Sequence, residues 1–262
     1  MDTFQIILLA LIQGFTEFLP ISSSGHLILP AQILGWKDQG LAFDVAVHVG
    51  SLIAVLSYFR KDVRAISVAW FGSFRGPMTT DGRLGWYIIF ATIPAGVIGF
   101  MANDFIEHHL RSVLVVAVAT IFFGVLLGLS DKLGEQKIST QEMTFKQALL
   151  IGFAQVLALI PGTSRSGITI TMALALGLER QAAARFSFLL SIPIIVASGS
   201  YKTLELAQTA SVDWQPMLLG AGLSFASAFI CIHLFLSWID RIGMWPFVVY
   251  RILLGCVLLT FI

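Results

Sequence analysis

A chain of 262 residues with 57% of its positions hydrophobic, 23 glycines and only 12% charged side chains carries about half the charge of an ordinary soluble domain. The formal net charge is +1 and the mean hydropathy is +0.87. These values exclude a soluble enzyme, a disordered chain and a nucleic-acid binder, which needs a basic face, and they point to a polytopic membrane protein.

The first apolar stretch covers residues 4–34. The opening Met1-Asp2-Thr3 has no basic residue and the first lysine is Lys37, so this stretch is expected to be retained and not removed as a secretory leader. It is broken in the middle by Pro20-Ile21-Ser22-Ser23-Ser24-Gly25-His26. Unbroken spans follow near 43–59, 84–102 and 112–130. A second broken stretch, 147–178, is interrupted by Pro161-Gly162-Thr163-Ser164-Arg165-Ser166-Gly167. Three more spans lie near 186–201, 216–238 and 246–262. Each half of a broken stretch has about 11 to 16 residues, short of the roughly 20 that cross a bilayer as a helix. Both stretches are therefore expected to dip in and return, with their polar turns sheltered by protein or lining a water-filled cavity. The predicted fold is all-α: about six transmembrane helices plus two re-entrant helix hairpins, in one integral domain over 1–262.

Basic residues test this layout. With both hairpins re-entrant, one side carries Arg60, Lys61, Arg64, Arg75, Arg83, Lys132, Lys137, Lys146, Arg180, Arg185 and Arg241, and the other carries Lys37, Arg111 and Lys202. Arg165 and Arg251 stay within the membrane. The bias puts the 60–83 loop in the cytoplasm and both termini outside. An internal repeat agrees: shifting by about 142 places lays Gln13 on Gln155, Ser22 on Ser164, Ser24 on Ser166 and Gly25 on Gly167. The halves, approximately 1–130 and 140–262, then form an inverted-topology repeat whose broken helices meet near the midplane. Cys231 and Cys256 lie inside apolar runs as packing or lipid-facing residues. Gly124 and Gly128 read as a small-xxx-small helix contact.

Chemistry concentrates in the breaks. Gln13 and Glu17 are four apart and share a helix face. Capping explains one of the three serines after Pro20 but not Glu17, because a carboxylate in an apolar segment faces a cavity and a partner. The second break offers that partner in Arg165. With Gly162, Thr163, Ser164, Ser166, Gly167 and the N-terminus of the next half-helix, Arg165 forms an anion site suited to phosphate. His26, close in sequence to Glu17, Ser22 and Ser23, suits proton transfer. His48, Asp44 and Arg251 read as structural polar groups.

QGFTEFLPISSSGH followed some 140 residues later by PGTSRSG, and an ending such as Pro246-Phe247-Val248-Val249-Tyr250-Arg251, resembles the BacA (UppP) family of undecaprenyl-diphosphate phosphatases over the whole chain. A phosphatidic-acid type of lipid phosphatase would need a histidine six residues after the arginine, where this chain has Thr171. The resemblance implies hydrolysis of C55-isoprenyl diphosphate to the monophosphate and phosphate, recycling of a cell-wall lipid carrier and bacitracin resistance. It also implies a multi-pass location in the bacterial cytoplasmic membrane. The expected roles are Arg165 and the 162–167 loop as diphosphate clamp, Ser23 as nucleophile with Ser22 as second choice, and His26 as proton carrier. Ser22, Ser24, Gly162, Thr163, Ser164, Ser166 and Gly167 are the expected substrate contacts. Glu17, with Gln13, either orients His26 or holds a Mg²⁺ or Ca²⁺, oxygen-preferring cations suited to phosphate. The expected partners are the polyprenyl diphosphate lipid and the bilayer, with no nucleic acid and with self-association into a homodimer left open. The site mouth is expected on the periplasmic side. The competing reading is a polyprenyl-phosphate transporter or flippase built on the same repeat.

Overall fold

The computed structural model describes residues 2–23, 25–27, 30, 35–36, 39–206 and 214–261. Ser24, an expected substrate contact, and Lys37 lie outside them. The described residues form α1 (Thr3–Phe18), α2 (Leu41–Tyr58), α3 (Arg60–Gly72), α4 (Thr80–Met101), α5 (Asn103–His109) and α6 (Val113–Leu133). After these come α7 (Phe145–Val156), α8 (Arg165–Ala175), α9 (Arg180–Leu206), α10 (Trp214–Ile242) and α11 (Trp245–Leu259). Among the described residues, α2, α4, α6, α9 and α10 are long and apolar enough to cross a membrane, while α1, α7 and α11 are shorter apolar helices. The protein is thus an all-helical, multi-pass membrane protein.

Both broken stretches begin with the same device. Asp2 and Gln5 form a capping box at the start of α1, and Thr144 and Gln147 form another at the start of α7. Each box satisfies two backbone N–H groups that the first helical turn leaves without partners. The boxes stand 142 residues apart, in the register of the repeat. Both hairpins also return to where they start. The Phe4 and Trp36 rings meet edge to face at 6.2 Å, joining the first turn of α1 to the chain beyond the first break. Gln147 Nε2 donates to Leu176 O at 3.2 Å, and Ile138 pairs with Leu178 in a single bridge. Neither broken stretch therefore acts as a crossing.

Helix packing repeats with exchanged partners. α1 lies along α10 as α7 lies along α4, and α2 packs on α10 as α9 packs on α4. The counterparts α2 and α9 pack on each other, and so do α6 and α11. Two halves related by a two-fold operation give this pattern. Because three full-length helices separate the two hairpins, the second copy is inverted relative to the first. Two glycines show how close the exchanged contacts are. A Cβ on Gly14 would lie 2.5 Å from Ser224 O, and one on Gly152 would lie 2.3 Å from Ala91 O. Gly124 and Gly128 face Arg251 and Val248 of α11, the packing role their spacing suggests. Cys231 Sγ donates to Phe15 O at 3.1 Å, and Cys256 is exposed.

The structure departs from the sequence expectations at the helix ends. The 60–83 region contains α3, whose Arg60, Lys61 and Arg64 start a helix carrying Ile66 and Trp70 one turn apart on its packed side. The span expected at 186–201 extends back to Arg180 because its charged start is paired: Arg180 binds Asp131 through two hydrogen bonds of 2.6 and 3.2 Å, and Arg185 binds Asp62. The span expected at 246–262 is the 15-residue helix α11, which Trp245-Pro246 starts one turn after α10 ends. In the turn before α7, the Ser139 N–H and hydroxyl both donate to Glu142 and hold its carboxyl below the usual range.

Candidate active site

The α1 helix ends at Phe18, before Pro20, which lacks an N–H to continue it. Its last two turns place Gln13 Nε2 2.9 Å from Glu17 Oε2, both residues being buried. The chain then turns through Ser22 at φ 72°, and the Ser22 hydroxyl accepts from Gly25 N at 3.4 Å. In the second break the chain turns through Ser164 at φ 70°, and the Ser164 hydroxyl accepts from Gly167 N at 3.1 Å. Left-handed backbone at a serine costs on the order of 1–3 kcal/mol and survives where the surroundings over-determine it. Here each serine caps the half-helix that follows, and the same strained turn occurs at equivalent places in both halves.

The two turns are clasped together. Arg165 Nη2 lies 3.3 Å from Glu17 Oε1, and Ser166 Oγ donates to Leu19 O at 2.8 Å. Between them lies Arg251, fully buried on α11 and bonded entirely to carbonyls. It donates to Thr120 O, Pro20 O, Gly162 O and Thr163 O over 2.8–3.3 Å. Thr120 adds a hydrogen bond to Gly162 O at 3.2 Å. A guanidinium presents its N–H groups in a rigid planar fork, and this one holds one carbonyl of the first break and two of the second at once. The sequence reading treated Arg251 as a structural polar group, and it is the residue that fastens the two breaks.

Glu17 is the centre of the site. Its Oε2 accepts from Ser23 Oγ at 2.9 Å as well as from Gln13, and its Oε1 faces Arg165. The Arg165 fork also reaches Ser187 O at 3.4 Å, which leaves further N–H donors for an anion. His26 faces elsewhere. Its Nδ1–H donates to Ser22 O at 2.7 Å, so Nε2 is the acceptor and takes the Tyr250 hydroxyl at 2.5 Å, with the two rings stacked. The ionisable group in hydrogen-bond contact with Ser23 is thus Glu17, whereas sequence proximity suggested His26. The expected contacts in the second break are largely engaged with the protein. Ser164 caps α8, Ser166 holds Leu19, Gly162 and Thr163 lend their carbonyls to Arg251, and Gly167 supplies the capped N–H. The Thr163 hydroxyl is buried with no hydrogen-bond partner. Ser22 is buried in its capping role, while Ser23 is partly exposed.

A divalent cation at Gln13 and Glu17 would need more oxygen ligands than these residues offer. Mg²⁺ and Ca²⁺ take about six or more oxygens, and Glu17 is a single carboxylate already facing a guanidinium, an amide N–H and a hydroxyl. Among the described residues no three His, Cys, Asp or Glu side chains gather as a metal site. The donor set does not fit a cation held by the protein alone, although Gln13 Oε1 is buried and unpaired.

Sequence reasoning read His48 and Arg251 as structural polar groups and gave Tyr250 no role in the site. Tyr250 and Arg251 lie more than 220 residues from the groups they meet in the first break. His48 comes within 3.9 Å of Glu17 Oε2 from α2. The one available signal was an arginine and a histidine inside apolar spans, which mark a buried partner without naming it.

Residues 6–257 match the family described as bacitracin resistance protein BacA. The chain belongs to that family. A protein of Alteromonas mediterranea named undecaprenyl-diphosphatase is 58% identical over all of this chain and 99% of its own length. Undecaprenyl-diphosphatase 1 of Pseudoalteromonas translucida is 60% identical, again over all of this chain and 99% of its own length. The undecaprenyl-diphosphatase of Colwellia psychrerythraea is 58% identical over the full length of both chains.

Proposed function

We propose that this protein hydrolyses undecaprenyl diphosphate to undecaprenyl phosphate and inorganic phosphate in the bacterial cytoplasmic membrane, recycling the cell-wall lipid carrier and conferring bacitracin resistance. The observation that carries the reading is the meeting of Arg165, Glu17 and Ser23 where two helix breaks join inside an apolar bundle. A diphosphate on a long isoprenoid tail needs an anion clamp within reach of lipid and a nucleophile beside it, and this junction supplies both.

In the proposed reaction Arg165 uses its remaining N–H donors to hold the terminal phosphate and stabilise its equatorial oxygens in the transition state. The Ser23 Oγ attacks that phosphorus while its proton passes to Glu17 Oε2. The bridging P–O bond breaks and its electron pair leaves on the lipid monophosphate. Water then cleaves the phosphoserine. The proton of that water reaches His26 Nε2, unprotonated while Nδ1 is bound to Ser22 O, by way of the Tyr250 hydroxyl that Nε2 accepts. Ser23 is favoured over Ser22, whose hydroxyl is committed to capping. The basic 60–83 segment faces the cytoplasm and the site opens on the outer side, in keeping with the bias of basic residues.

The test is phosphate release from undecaprenyl diphosphate by the detergent-solubilised protein. Hydrolysis proceeds without a second compartment, whereas a lipid carrier would release no phosphate. Ser23→Ala and Arg165→Ala are expected to abolish release, and full activity in either would overturn the assignment of that residue.

A further inference from the structure

Glu17 can take a proton from Ser23 once, and the site must then dispose of it. Its neighbours differ in their ability to receive one. Arg165 is a permanent cation with no acceptor, and the Gln13 amide faces Glu17 through its N–H. His26 is turned away onto Ser22 O and Tyr250. The remaining group is His48 on α2. Its Nδ1–H donates to Asp44 O at 2.7 Å, one helical turn back, so the ring is held with Nε2 toward Glu17 Oε2 at 3.9 Å. A neutral imidazole in this tautomer presents an unprotonated Nε2 toward the carboxylate, free to receive a proton from it. The 3.9 Å separation is a span that one water bridges. The side chains of Glu17 and Arg165 are 7% and 13% exposed, and that of His48 is 36% exposed.

We infer that His48 is the proton outlet of the site, receiving from Glu17 the proton that leaves Ser23 and passing it to water. The inference rests on the proposed roles of Ser23 and Glu17 and adds to them. The Ser23 O–H bond breaks and the proton moves to Glu17 Oε2. From there it moves to His48 Nε2, forming an imidazolium that keeps its Nδ1–H on Asp44 O, and the Nε2 proton then leaves to solvent. Glu17 returns to its charged form facing Arg165 before the next turnover. His48 acts through Glu17 and does not touch the substrate, so it is a positioning residue for proton flow. The ionised groups around it are Glu17 across the helix contact, Arg165 behind Glu17, and Asp44 on its own helix, whose carboxylate accepts from Gln39.

The experiment measures kcat and KM for phosphate release from undecaprenyl diphosphate across pH, using the full-length protein in detergent. His48→Gln is expected to keep KM within about twofold, lower kcat at neutral pH by about tenfold or more, and flatten the acid side of the kcat profile. His48→Ala is expected to recover part of its kcat when imidazole is added, and its thermal midpoint serves as a folding check. A His48→Gln profile superimposable on the parent overturns the outlet, as does a uniform loss in His48→Ala at every pH with no response to imidazole. Ser23→Ala, run in parallel, separates the two layers. If it still releases phosphate, the source of the proton is wrong and the proposed reaction falls. If it is inactive while His48→Gln behaves as the parent, only the outlet falls.

Discussion

The two helix breaks use one scaffold for different chemistry. Both begin with a capping box, both turn through a serine in the left-handed region, and both cap the next half-helix with that serine hydroxyl. In the repeat register the residue after the strained serine is Ser23 in one break and Arg165 in the other, and the place of Glu17 is taken by Leu159. The first break holds the Ser23 hydroxyl, the Glu17 carboxylate and the His26 imidazole, and the second holds the Arg165 cation. A symmetric junction would have set like groups against each other. The difference teaches that the shared frame sets the geometry and that a few side chains make the junction a single asymmetric site.

Removing the asymmetry should have the largest effect. Arg165→Ala deletes the cation of the second break and is expected to lower kcat by about a thousandfold or more, the scale of a lost transition-state donor. Arg165→Lys should recover little, because a point charge cannot reproduce the fork. Steady-state phosphate release measures both. Next comes the clasp that the breaks share. Arg251→Met leaves carbonyls of both breaks unsatisfied and should cost about 1–3 kcal/mol for each carbonyl left without a partner, read as a lowered thermal midpoint in detergent. An unchanged midpoint would mean the breaks hold together without it.

Tyr250→Phe sharpens the contrast between His26 and its counterpart Ile168, since only the first break has an imidazole to orient. It should reduce kcat by about tenfold, equal to about 1.4 kcal/mol, with little change in KM. The smallest effects test what is common to the breaks. Ser22→Ala and Ser164→Ala should each cost about 1 kcal/mol of stability through the lost cap, and the glycine variants should cost less because glycine adopts the positive φ freely. Unequal penalties at the two serines would show that the breaks are not structurally equivalent.

Much of this was legible in the sequence because lipid tolerates so little. Pro20 to His26 and Pro161 to Gly167 could not lie against acyl chains, so hairpins, repeat and a Glu17–Arg165 meeting followed from polarity and spacing alone. Other features left no local trace. The partners of Arg251 are backbone carbonyls, which every residue carries, so nothing in the sequence around Pro20, Thr120 or Gly162 announces the contact. The direction of His26 depends on Tyr250, which arrives from the far end of the chain. The helix α3 was masked by Arg60, Lys61 and Arg64, which read as a loop when basic residues are counted by side. Arg180 and Arg185 hid the start of α9 in the same way until their carboxylate partners were seen.

The position of Arg251 also bears on how the enzyme comes into being. Ribosomes deliver a chain from its N-terminus, so Ser23 and Glu17 enter the bilayer long before the Arg251 guanidinium that bonds both turns. Until α11 is inserted, the hairpins meet only through Arg165 on Glu17 and Ser166 on Leu19, without the fork that bonds carbonyls of both. A truncated or stalled product therefore lacks both Arg251, which ties the breaks, and Tyr250, which orients His26.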